Sequence, residues 1–258
     1  VEYGICMLSL VPMRAERSDK AEIVTQILFG ECYELVSREG NWVCVQLATD
    51  GYRGWIDFKQ HTPVSTGYYQ DWCKASHPRV LDLLQFVGTD AARIPVGIGS
   101  YLPFLDGESI RINEVTYTYS GKVARGVERA DVAKLKELAL IFLKAPYLWG
   151  GKSLFGIDCS GFTQQVYGLC GYQLPRDAYQ QVAYGEEVHF VGQTRPGDLA
   201  FFSNEEGRIT HVGIMLEGQQ IIHAHGEVRV DTLDHNGIYN ADRKRYSHQL
   251  RIIKRVFV

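Results

Sequence analysis

A chain of 258 residues, 45% hydrophobic and 22% charged, is long enough for two or three globular domains with their own cores and too apolar to be disordered. Its 27 Lys and Arg stand against 30 Asp and Glu, a net charge of -3 with no basic block, so no nucleic-acid partner is expected. No apolar run approaches the roughly 18 residues of a membrane-crossing helix, and no membrane span is predicted.

Residues 1 to about 62 read as short strands: Glu22 to Gln26, Cys32 to Val36, Trp42 to Gln46 and Gly54 to Ile56, separated by Gly30, Gly40, Gly51 and Gly54. That density of strands and turns predicts a small barrel. The stretches Pro12 to Glu16, Leu28 to Glu31, Trp42 and Gly51 to Ile56 resemble a bacterial SH3 domain. A boundary is expected at His61-Thr62-Pro63. Beyond it, Pro95 to Pro103, Gly107 and Val115 to Gly121 repeat the rhythm more weakly, which predicts a second, diverged SH3-like barrel over 63–127.

From Asp131 the period changes. Val132, Leu135, Leu138, Ala139 and Phe142 fall three and four apart, predicting a helix capped by Asp131 and ended by Pro146. A second helix follows Asp158, with Phe162, Val166, Leu169 and Cys170 on one stripe and Gly171 as its stop. A third is expected to start near Pro175-Arg176-Asp177. Strands then run over Leu199 to Phe202, His211 to Leu216, Gln220 to His225 and Val228 to Asp231. Helices followed by an antiparallel sheet make residues 128–258 an α+β domain.

The six cysteines contain no CxxC pair. Cys159 and Cys170 lie in one predicted helix, roughly 16 Å apart along its axis, too far to be bridged. Cys159 is therefore read as a free thiol. With Asp158 as N-cap, it occupies the first turn, where unpaired N–H groups favour an anion, so its pKa is expected to fall below the ordinary cysteine value near 8.5. The same N–H groups can receive the oxyanion of a tetrahedral intermediate, and Gly161 lets a substrate approach.

Histidine supplies a base. In the strand Thr210 to Leu216, His211 shares one face with Gly213 and Met215, while Val212, Ile214 and Leu216 take the other. A three-residue loop over Leu216-Glu217-Gly218 sets His223 opposite His211; a loop two residues longer sets His225 there, and strand alternation keeps both on the same face. Either would orient the base as the third member of a nucleophilic triad. His223-Ala224-His225 offers at most two metal ligands without a nearby third, so no metal and no cofactor are expected.

Tyr147 to Gly151, Asp158 to Phe162, Pro175 to Asp177, Arg195 to Phe202, His211 to Ile214 and Ile222 to Ala224, in that order, resemble the NlpC/P60 family of cell-wall peptidases from about residue 128 onward. With the barrels in front, the chain is similar to γ-D-glutamyl-L-diamino acid endopeptidases. The resemblance implies a papain-like catalytic domain preceded by two small SH3-like barrels. It further implies Cys159 as nucleophile, His211 as base and His223 as third polar member.

The implied substrate is a peptidoglycan-derived stem peptide, cut through a thioester between γ-D-Glu and the diamino acid, often after a free N-terminal L-Ala. Asp177 matches the family aspartate that holds that ammonium, with Ser160 and Arg176 beside it. Trp149 matches a family aromatic position, and Tyr52 and Glu16 are the barrel residues expected at one end of the cleft. A wall-binding protein without catalysis, or an amidase or acyltransferase of the same fold, are the competing readings. The chain is expected to be a monomer. Free thiols favour a reducing compartment, whereas the substrate and the lack of an initiator methionine favour the envelope, which is the expected location, with the cytoplasm as the alternative.

Overall fold

Alternating apolar residues and tight turns make the first quarter of the chain almost wholly β. In the computed structural model, which describes residues 1–126 and 129–257, seven strands form one antiparallel sheet: β1 (Glu2–Ile5), β2 (Leu10–Arg14), β3 (Ile23–Leu28), β4 (Cys32–Glu39), β5 (Trp42–Leu47), β6 (Arg53–Asp57) and β7 (Thr62–Val64). Their order is β3-β2-β6-β5-β4-β1-β7. Along β5 the period of two sends Val43, Val45 and Leu47 inward, where they meet Val11, Met13, Ile27, Tyr33 and Ile56.

Next comes a helix that the strand-like reading of residues 63–127 did not anticipate. α1 (Thr66–Lys74) is capped by Ser65, whose hydroxyl accepts from the Tyr68 N–H at 3.1 Å, and it buries Tyr68 and Trp72 one turn apart. Two buried positions in nine residues are too short a stripe to stand out in the sequence. β8 (Arg79–Val80), β9 (Leu84–Gly88), β10 (Arg93–Gly97), β11 (Ser109–Ile112), β12 (Val115–Thr118) and β13 (Val123–Ala124) follow, as a four-stranded sheet β10-β9-β12-β11 and a pair β13-β8. Ile5, Phe29 and Cys32 pack in one core with Tyr68, Trp72, Val80, Val87 and Leu102, so residues on both sides of 62/63 share a core. The expected boundary at 127/128 lies outside the described residues.

The chain divides into two compact units, one of Val1–Arg129 with Trp149–Leu154 and one of Ala130–Leu148 with Phe155–Val258. Residues 149–154 thus belong with the N-terminal part. There β14 (Lys152–Ser153) is anchored by a Lys152 N–H bond to Gln26 Oε1 at 2.8 Å and by an ion pair from Lys152 Nζ to Glu31 at 3.2 and 3.3 Å. The Lys152 and Glu31 side chains are 2% and 1% exposed.

In the second unit, α2 (Val132–Ile141) starts at Asp131, whose carboxylate accepts from the Lys134 N–H. It stops well before Pro146, because the Lys144 N–H goes to the Val228 carbonyl and Lys144 takes a φ of 70. β15 (Gly156–Ile157) leads into α3 (Cys159–Leu169). Apart from Gly168, every residue of α3 is buried, so the helix is enclosed on all sides rather than along the single predicted stripe. It ends where expected: Gly171 adopts a φ of 81, and the Tyr172 and Gly171 N–H groups return to the Tyr167 and Gly168 carbonyls. α4 (Ala178–Gln181) is one turn, begun by a reciprocal cap between Asp177 and Gln180.

The remaining strands are β16 (Glu186–Val188), β17 (Leu199–Ser203), β18 (Ile209–Met215), β19 (Gln220–His225), β20 (Glu227–Asp234), β21 (Gly237–Asn240) and β22 (Arg245–Arg255). They form an antiparallel sheet in the order β16-β22-β17-β18-β19-β20-β21, and β22 also pairs with β21. That last pairing closes six strands into a ring, with α3 against β18 and β19. β16, β21 and the eleven-residue β22 are additions to the predicted set. Among the described residues no helix is long and apolar enough to cross a membrane.

Candidate active site

Asp158 holds an extended conformation, φ -94 and ψ 177, and its Oδ1 accepts from the Gly161 N–H at 2.7 Å, which starts α3 at Cys159. The same carboxylate receives Arg176 Nη1 at 2.9 Å and Nη2 at 2.7 Å, and Arg176 Nη1 also donates to Ser160 Oγ at 2.9 Å. Arg176 is 1% exposed. Its guanidinium is spent on the helix start, where losing one partner of such a buried pair costs about 3–5 kcal/mol. Arg176 was expected beside the substrate; the structure makes it the buried support of Asp158 and Ser160. Gln181 ties the next turn down, its amide donating to the Ser160 and Pro175 carbonyls while its oxygen accepts from Thr163.

The Cys159 sulfur lies 4.0 Å from the Thr210 carbonyl oxygen, and the Val212 and Ser160 N–H groups are turned toward it. Thr210 and Val212 flank His211 on β18, so the thiol sits beside the histidine's own position in the strand. Burial pushes the thiol up to about 12, and Asp158 adds to the rise; the Val212 and Ser160 N–H groups and Arg176 oppose it without prevailing. The sequence reading expected a fall. A helix start offers only ~0.3–2 kcal/mol to an anion, less than removal from water withdraws at a site 7% exposed.

His211 is 5% exposed, and burial, followed by the fields of His223, His248 and His225, holds its imidazole well below 6.5. Burial thus works against charge on both groups, favouring the thiol over the thiolate and the neutral imidazole over the imidazolium. His211 Nε2 is 2.8 Å from His223 Nδ1, with the two rings nearly perpendicular. His223 Nε2 is in turn 2.9 Å from Asp231 Oδ2. Burial works against charge on Asp231, but hydrogen bonds from His223 and Arg229 outweigh it and keep the carboxyl below the usual range. Arg229 grips Asp231 with Nε at 2.8 Å and Nη2 at 2.9 Å and reaches Asp242 at 2.7 Å.

Register explains how His223 reaches His211. The hairpin turns over Glu217-Gly218-Gln219, one residue later than expected, pairing Ile214 with Ile222 and Met215 with Ile221, so His223 is not directly opposite His211; this is the register that the sequence reading tied to His225. His223 then falls opposite Gly213: an added Cβ on that glycine would lie 2.9 Å from the His223 Cβ. His223 thus crosses the missing side chain diagonally to meet His211, while His225 lies 6.4 Å ring to ring from it.

Sequence reading missed three neighbours. Asp231 was only the end of a predicted strand, although the tight turn at Gly226 brings it back one pleat beyond the partner of His223. His248 comes from β22, which was not predicted; its ring lies flat on His211 at 3.9 Å and 18°. Tyr147 is half-buried, and burial, then Cys159 and Asp158, push its phenol up. Nitrogens of His211, His223 and His248 lie within 4.8 Å of one another. His248 thus adds a third imidazole where the sequence reading counted at most two ligands, although its ring plane lies nearly parallel to that of His211, at 18°.

Of the other expected substrate residues, Ser160 is 6% exposed and its Oγ lies 3.4 Å from Asp158 Oδ1, and Asp177 caps α4. Trp149, Tyr52 and Glu16 belong to the first unit. There Trp149 is 61% exposed, with its indole N–H on Glu22 at 2.6 Å. Tyr52 packs at the edge of the barrel core, and Glu16 is exposed on the loop after β2.

Family models bear directly on this geometry. One described as the NlpC/P60 family matches residues 144–247, and one described as the bacterial dipeptidyl-peptidase Sh3 domain matches residues 13–60. A γ-D-glutamyl-L-lysine dipeptidyl-peptidase of Bacillus subtilis (strain 168) is 31% identical over 218 residues, 78% of this chain and 72% of the relative. The chain belongs to the NlpC/P60 family of cysteine peptidases. Dipeptidyl-peptidase 6 of Lysinibacillus sphaericus is 28% identical over 257 residues, 90% of this chain and 92% of that one. A crystal structure of an NlpC/P60 family protein from Bacillus cereus ATCC 10987 superposes with a TM-score of 0.82 at 21% identity, covering 99% of both chains, and shows the shared fold. The NlpC/P60 match contains Cys159, His211, His223 and Asp231 together.

Proposed function

We propose that this NlpC/P60 hydrolase cuts the γ-D-glutamyl–diamino acid bond of peptidoglycan stem peptides that carry a free N-terminal L-Ala. The observation that carries the reading is the thiol of Cys159 at the first turn of α3, bracketed by the backbone of Thr210 and Val212, with His211 between them held by His223. The names of two relatives, γ-D-glutamyl-L-lysine dipeptidyl-peptidases, support the choice of bond.

His211 takes the Cys159 proton as sulfur attacks the γ-glutamyl carbonyl, so both charges arise together and neither is buried alone. N–H groups at the start of α3 receive the developing oxyanion. The imidazolium then protonates the departing amine, leaving a thioester, and a water deprotonated by His211 hydrolyses it. Asp177, beside the cysteine's helix, is the proposed partner of the L-Ala ammonium while it caps α4. Residues 63–126 are read as a second, diverged SH3-like module, supported by the antiparallel order β10-β9-β12-β11.

The test is digestion of L-Ala-γ-D-Glu-diamino acid peptides, with free and acetylated N-termini, followed by mass analysis. Release of the diamino acid from the free form alone, abolished in Cys159→Ala with unchanged melting, is the expected result. Persistent cleavage by Cys159→Ala, or a cut at another bond, overturns the reading.

A further inference from the structure

We propose that Asp231, clamped by Arg229, is a positioning residue that sets the tautomer of His223 and, through it, that of His211. The inference rests on the proposed roles of Cys159 and His211 and deepens them.

Three observations lead to it. The Asp231 side chain is 3% exposed and that of His223 is 0%, so no water substitutes for either partner. Asp231 Oδ2 is shared between His223 Nε2 and Arg229 Nε, and Oδ1 takes Arg229 Nη2, so a guanidinium fork balances the carboxylate's charge. His223 Nδ1, on the far side of the ring, meets His211 Nε2 at 2.8 Å.

The rest is donor and acceptor arithmetic. An ionised carboxylate only accepts, so the hydrogen in the His223–Asp231 contact sits on His223 Nε2. A neutral imidazole has one N–H, so His223 Nδ1 is then a bare acceptor. The hydrogen in the contact between the two histidines therefore belongs to His211 Nε2, and Nδ1 of His211 is left with the lone pair that takes a proton. Without Asp231, His223 is equally able to carry its proton on Nδ1, which sets donor against donor and turns or re-protonates the His211 ring. A strand carboxylate with a merely structural role needs only Arg229, which already satisfies it. Contact with His223 extends the Cys159–His211–His223 row to a fourth member.

The experiment is 15N spectroscopy of the histidine side chains in the full chain at neutral pH, beside kinetics on the free stem peptide. In the unmodified protein both His211 and His223 are expected as Nε2–H tautomers, a result that needs no variant to fold. Asp231→Asn is expected to move His223 toward the Nδ1–H form and to lower kcat about 10–100-fold with KM changed by less than about twofold. Asp231→Glu should recover part of the rate and of the tautomer pattern. His223 found as Nδ1–H or as imidazolium in the unmodified protein overturns the proposal, as does Asp231→Asn with unchanged tautomers and kcat. Failure of the underlying reading looks different: no stem peptide is cut, or Cys159→Ala stays active.

Discussion

Adding one methyl group at Gly213 should disarm the histidine row without replacing any of its members. An alanine Cβ there would lie 2.9 Å from the His223 Cβ and 2.8 and 2.9 Å from two carbons of Ile221, whereas ordinary Cβ contacts begin near 3.4 Å. His223 must therefore retreat by about half an ångström. It is fully buried, with its two nitrogens held 2.8 Å from His211 and 2.9 Å from Asp231, so any retreat is taken from those bonds. Stretched by that amount, the His211–His223 bond reaches the outer limit of useful hydrogen bonding. Overpacking of this size costs about 1–3 kcal/mol. Borne by the histidine contact alone, that is about 5–150-fold in rate; borne by the fold, it lowers Tm by about 2–4 °C per kcal/mol. Measuring kcat/KM on the free stem peptide together with Tm captures both shares. Gly213→Ala with wild-type kcat/KM and wild-type Tm refutes the diagonal crossing as the origin of the His211–His223 pairing.

Two further outcomes are expected. His211 must be neutral to accept the thiol proton, and burial with its imidazole neighbours holds it well below 6.5, so the active form survives as pH falls. The acid limb of kcat/KM should accordingly lie below 6.5, and a limb at or above that value in a pH–rate profile contradicts the assignment. In the first unit, Lys152→Met leaves Glu31 buried without its cation and should cost about 3–5 kcal/mol in urea denaturation, most of it regained when Glu31→Gln is added. Equal stability of the single variant and the wild type would show that the buried ion pair is not what anchors residues 149–154.

Local chemistry made much of the site readable. Asp158 before Cys159 is a cap before a helix wherever the segment ends up, and Gly171 marks its end because a left-handed residue closes the last carbonyls. Strand alternation alone placed His211 on the face shared with Gly213 and Met215. The ordered motifs from Tyr147 to Ala224 identified the family, and that resemblance implied His223 rather than His225 as the partner of His211.

Where local pattern was weak, the reading stopped. α1 shows two buried aromatics and little else, and β22 carries a mixed burial pattern because it borders β16, β17 and β21 at once. His248 could not be placed without that strand. The hairpin loop slid by one residue, a change invisible to alternation because both registers keep the histidines on one face.

What the sequence by itself determined is therefore the inventory: a capped cysteine, histidines on a common face, short strands punctuated by glycine, and a family signature, each encoded within a few neighbouring residues. Only the tertiary structure decided that the thiol is buried where desolvation opposes its charge, that Arg176 is consumed beneath it, that Gly213 opens the path from His223 to His211, and that Asp231 stands behind them. Desolvation and cross-strand contact depend on what distant segments bring to the same place, and no local pattern carries that information.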